Sequence, residues 1–162
     1  MRPLVLPLAT AVVAACGGGS APPPDADEAL ACINSGRGEM YSVGLEHPGK
    51  AGLLDVKLMS ANPAPPGFND NTWVIQVNSM SAGVVGSPMD GATILVTPFM
   101  PDHQHGPGAY TPQVMELTTP GQYQISDINT WMPGYWEIAL DAVVPGTSPV
   151  EDSAVFKFCI PA

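Results

Sequence analysis

The chain has 162 residues and a formal net charge of −10, with 5 basic residues against 15 acidic ones. Once the ends are set aside, that length suits a single domain, commonly about 100–150 residues. So acidic a balance argues against nucleic acid as a partner, because affinity for phosphate backbones comes from Lys and Arg, and it disfavours adsorption to anionic lipid surfaces.

The N-terminus reads MRPLVLPLATAVVAAC, with Arg2 ahead of an apolar run from Leu4 to Ala15 and small residues before Cys16. This is the layout of an export signal, and the run is shorter than the roughly 20 apolar residues that span a bilayer. Val13-Ala14-Ala15-Cys16 resembles the lipobox of bacterial lipoproteins, which implies a signal peptide over 1–15 and a lipid on Cys16. An ordinary cleaved signal with an incidental Cys is the alternative. Gly17, rather than Asp, follows the Cys, and in such lipoproteins this implies the outer membrane, on its periplasmic face or at the cell surface. Residues 16–30 mix flexible glycines with a stiffer proline run and read as a tether, which leaves 31–162 as the folded domain.

Within that domain apolar residues alternate with polar ones in short segments: Tyr41, Val43, Leu45; Leu54, Val56, Leu58; Trp73, Ile75, Val77; Tyr123, Ile125; and Trp136, Ile138, Leu140. A period of two marks strands with one buried face. Clusters such as His47-Pro48-Gly49, Asn62 to Gly67, Gly86-Ser87-Pro88, Pro120-Gly121 and Pro145-Gly146 punctuate them as turns. No window sustains apolar spacings of three and four, so helix should be nearly absent. The expected fold is all-β: an immunoglobulin-like antiparallel β-sandwich of about seven or eight strands.

The last strand, roughly Asp152 to Ile160, should turn Phe156, Phe158 and Ile160 inward and Cys159 outward. In an exported chain Cys32 and Cys159 are expected to form a disulfide, with the segment around Cys32 crossing the outer face. Two buried thiols are the weaker reading.

The stretch FMPDHQHGPG, residues 99–108, carries the chemistry. His103 and His105 are one residue apart, so in an extended segment both imidazoles project to one side. Met100 adds a thioether, and thioethers with imidazoles favour copper, Cu(I) above all, over calcium or magnesium. Met132 could join as a fourth ligand if its Met-Pro turn lies at the same end of the sandwich, and Asp102 is the expected carboxylate partner of an imidazole. The plain alternative is a solvated turn beside Met residues that fill gaps in the core. His47 and Met115 read as structural, Met115 as a core or lining residue of a strand. Trp73 and Trp136 fall on inward registers, which leaves Trp131 as the exposed indole and weakens a sugar-stacking platform.

The stretch from Thr72 to Leu140 resembles a YtkA-like domain, related to the FixH family. The shared features are Trp73 in the opening strand, the PMDGA turn over 88–92, Met100-Pro101 with His103 and His105, the strand start Gly121-Gln122-Tyr123, and Met132-Pro133-Gly134 ahead of Trp136. The likeness covers somewhat under half the chain. It implies an exported β-sandwich concerned with copper handling or oxidase assembly. One departure is Trp131, where many relatives carry His.

The sequence offers no Gly-x-Ser-x-Gly elbow, no HExxH helix and no free Cys paired with a base, so an enzyme is not expected. A blue-copper centre needs a Cys ligand, and both domain cysteines are assigned to the disulfide. The expected function is a lipid-anchored envelope module that binds copper or delivers it, with a copper-receiving envelope protein as the partner that delivery implies. The competing reading is a metal-free adhesion or assembly module that contacts another envelope protein.

Overall fold

Alternating side chains close the apolar sides of two antiparallel sheets on each other, and these sheets are assembled from nine strands among the described residues. The computed structural model describes residues 24–146 and 148–162; the expected signal peptide and Cys16, the expected lipidation site, lie outside them. The larger sheet contains β1 (Leu45–Pro48), β2 (Leu54–Asn62), β3 (Asn69–Ser81), β4 (Val84–Pro88), β6 (Gln113–Glu116) and β7 (Gln122–Thr130). Its order is β1-β2-β3-β7-β6, with β4 folded back on β3. The smaller sheet runs β5 (Thr93–Phe99), β8 (Gly134–Val144) and β9 (Val150–Ile160). The expected all-β sandwich is thus the fold, with nine strands among the described residues where about seven or eight were expected.

Leu54, Val56, Leu58, Ile75 and Val77 face Ile138, Leu140 and Phe156 across the core, all of them buried. Trp73 presents its edge to Phe156 and Phe158 at centroid distances of 5.8 and 5.6 Å and so packs one sheet on the other. Ile160 is buried with the two phenylalanines, as the register of the last strand requires.

Local details depart from expectation in four places. The strand expected from Tyr41 begins only at Leu45, because Gly44 turns the chain at φ +88° and leaves Val43 exposed. Gly86-Ser87-Pro88 is no turn; it belongs to β4, a strand paired on one side only, where a proline is tolerated. Met115 is 56% exposed rather than in the core, because on β6 it is Val114 that packs against the interior.

The fourth departure is a helix. α1 (Pro24–Ser35) takes the last part of the expected tether and the start of the expected β domain. Ala, Glu and Leu favour helix, Asp27 and Glu28 lie near its positive N-terminal end, and Gly36, at φ +66°, ends it with its N–H on the carbonyl of Ile33. Ala29 and Cys32 form its buried side against β8 and β9. Cys32 is bonded to Cys159 of β9 across a sequence separation of 127, with a Cα–Cα distance of 5.6 Å, so the predicted disulfide fastens α1 to the outer side of the smaller sheet.

Candidate metal centre

At the end of β5 the chain reverses within six residues. The Met100 N–H donates to the His105 carbonyl at 2.8 Å, the His103 N–H donates to the Met100 carbonyl at 3.2 Å, and Gln104 takes φ +56°. The segment is therefore a tight turn and not the extended one expected. The turn still brings the two imidazoles together, with ring centroids 5.8 Å apart and planes at 55°.

The second Met-Pro turn, Trp131 to Pro133, joins β7 to β8 and lies alongside. The His105 ring stacks on Trp131 at 5.0 Å and 21°, and meets Trp136 edge-on at 5.9 Å. Trp136 Nε1–H donates to the Met132 carbonyl at 2.8 Å. Gly134, next in that turn, has no Cβ; one placed there would stand 2.6 Å from Met100 Cε. The two Met-Pro turns are neighbours at one end of the sandwich, with Met100 1% exposed, Met132 partly buried and Trp131 40% exposed.

The hydrogen bonds assign the imidazole nitrogens. His105 Nδ1 lies 2.9 Å from the Gly106 carbonyl, which can only accept, so Nδ1 carries the proton and Nε2 of the neutral ring holds the lone pair. That Nε2 is buried and has no hydrogen-bond partner among the described residues. His103 Nε2 lies 2.8 Å from Glu28 Oε2 of α1. A carboxylate oxygen accepts from a ring N–H, so this contact suits a proton on Nε2, which in the neutral tautomer leaves the lone pair on Nδ1.

Asp102 does not hold an imidazole. It takes Arg37 in a two-point pair at 2.6 and 2.9 Å, and the guanidinium keeps its carboxyl below the usual carboxylate range. Glu28 fills the place expected of Asp102. Nothing in the local spacing pointed to it, since it lies 75 residues away in sequence, in a segment that reads as tether. His47, expected to be structural, stands edge-on to Phe156 at 4.8 Å, with Nε2 2.9 Å from Glu39 Oε1 but out of hydrogen-bond alignment.

Met100 belongs to the buried core and Met132 packs against it, so their thioethers lie at the edge of the core beside the two imidazoles; imidazole and thioether donors would suit a soft cation, and the unpartnered His105 Nε2 is the atom such an ion would satisfy. Both domain cysteines are in the disulfide, so neither supplies a thiolate. Among the described residues no group of three or more His, Cys, Asp or Glu side chains is placed to hold a metal, so a site here would draw on donors beyond those residue types, such as the thioethers. No family model matches the chain, and no curated protein or solved structure matches it either.

Proposed function

We propose that the protein is a lipid-anchored envelope module that binds copper and delivers it to a receiving envelope protein. His103, His105 and Met100 are the ligands, with Met132 the fourth. The observation that carries this reading is His105: one ring nitrogen is tied to a backbone carbonyl, and the other is buried, lone pair free, between two Met-Pro turns. Metal-binding imidazoles are commonly held this way, with one nitrogen donating to a carbonyl or carboxylate. The resemblance of these two turns to YtkA-like domains supports the same assignment.

Calorimetric titration with Cu(I) under reducing anaerobic conditions, and with Cu(II) in air, tests it. We expect one tight site, abolished by His103→Ala/His105→Ala. A wild-type protein that binds neither ion refutes the proposal.

A metal-free assembly module is the second reading. It draws on β4, which among the described residues pairs only with β3 and leaves all five residues exposed, Val84 and Val85 among them. On that reading the double His variant binds a partner as well as the wild type does.

A further inference from the structure

Three observations converge on one side chain of α1. Glu28 Oε2 lies 2.8 Å from His103 Nε2, and it is also 3.6 Å from where a Cβ of Gly134 would stand. The carboxylate thus reaches the place where the two Met-Pro turns meet, past a residue with no side chain to block it. Its backbone is held there by neighbours on the helix: Ala29 is buried, and Cys32, one turn on, is bonded to Cys159. Beyond the helix, Arg37 grips Asp102 of the same loop, and a cleft of about 450 Å³ remains between the two anchor points.

We infer that Glu28 is a positioning residue for the candidate metal centre: its carboxylate keeps the ring proton of His103 on Nε2 and thereby leaves Nδ1 as the donor nitrogen. The consequence for copper rests on the function proposed above; the hold on the imidazole does not. The pair is partly exposed, 43% for the Glu28 side chain and 31% for His103, so its contribution to stability is small. Its effect is on orientation and tautomer, where a carboxylate on the far nitrogen of a ligating imidazole alters metal affinity by about 10–100-fold. Glu28 and Gly106 then select opposite nitrogens, Nδ1 of His103 and Nε2 of His105, so that the two rings of an H-x-H turn offer different atoms to one ion.

The test uses the full chain with ¹⁵N-labelled histidine. Without metal, the imidazole nitrogen shifts of His103 should report the Nε2–H form in the wild type. They should move towards a mixture of tautomers in Glu28→Ala and stay in place in Glu28→Gln, whose amide oxygen still accepts from Nε2–H. Arg37→Ala, which frees the loop at its other anchor, should leave them unchanged. Copper titration should show Glu28→Ala weakened about 10-fold or more, with Glu28→Gln restoring most of the affinity and Arg37→Ala within a few-fold of the wild type. Unchanged His103 shifts in Glu28→Ala overturn the inference, and so do equal affinity losses in Glu28→Ala and Arg37→Ala, which would mean only that α1 clamps the loop. If the wild type binds no copper, the copper function fails, and the nitrogen shifts alone decide the role of Glu28.

Discussion

Gly134 stands at the meeting point of the candidate centre. Its φ of +125° is a backbone conformation that side chains rarely adopt, and a Cβ there would meet Met100 Cε at 2.6 Å. The methionine methyl is the flexible end of its side chain and can give way, so the backbone sets most of the energetic cost. Gly134→Ala is expected to lose about 1–3 kcal/mol in denaturant unfolding. Because the residue that must move is a proposed ligand, the same variant should bind copper more weakly in calorimetry. A variant as stable as the wild type would show that the turn has another conformation open to it. Residues of this kind set limits on reading a sequence. Trp73 and Trp136 were legible as core because strand alternation fixes the side they face, and Trp131 was legible as exposed because it stands in a turn. Glu28 was not, since the partner of an imidazole is a fact of tertiary structure that spacing does not encode.

At the scale of elements, α1 is where periodicity misleads. Its inward side is small, Ala29 and Cys32, while Leu30 and Ile33 are 54% and 55% exposed, so the apolar stripe that announces a packed helix is missing. What holds α1 in place is therefore the disulfide and a few polar contacts more than apolar burial. Cys32→Ala/Cys159→Ala is expected to lower stability by about 2–4 kcal/mol. Hydrogen exchange should show the amides of α1 losing protection before those of β8, because the sheet keeps its ladder and the helix loses its anchor. Equal protection of α1 in the variant would assign its attachment to Glu28, Arg37 and packing. The strands themselves were legible wherever inward residues are large, as in β2, β3, β8 and β9. Strand ends at Leu45 and around Gly86 were not, because a glycine's φ and the pairing of an edge strand depend on neighbours distant in sequence.

For the molecule as a whole, two aspartates pull the pH dependence of stability in opposite directions. Asp152 of β9 accepts N–H bonds from Ala51 and Leu53 in the connection between β1 and β2, from Leu54 at the start of β2, and from Ser153, so it ties the two sheets together. Gly49 permits the approach, since any Cβ there would overlap the carboxylate. Burial pushes the Asp152 carboxyl up, but the four N–H donors outweigh it and hold it below its ordinary range. A depressed folded-state value means that its stabilisation is present above the unfolded value, about 3.9, and is lost as pH falls through the folded one. Asp55 is the reverse case. It is 2% exposed, its Oδ2 has no partner among the described residues, and burial and the nearby Glu46 raise it, against the pull of Asn78, Lys57 and His47. Its protonated form suits the fold, so its contribution is full below about 3.9 and is lost as pH rises through the raised folded-state value. Wild-type stability measured against pH should accordingly climb out of the acid range and then lose some of the gain as Asp55 ionises. Asp152→Asn should cost about 2 kcal/mol at neutral pH and flatten the acid limb. Asp55→Asn should leave that limb intact and raise neutral stability by about 1 kcal/mol, because a neutral amide replaces a buried charge whose desolvation outweighs the pull of Lys57. An acid limb that persists in Asp152→Asn would place the acid sensitivity elsewhere. A neutral-pH loss in Asp55→Asn would mean that the carboxylate is satisfied, and the outer face of the larger sheet would then have to supply the donor.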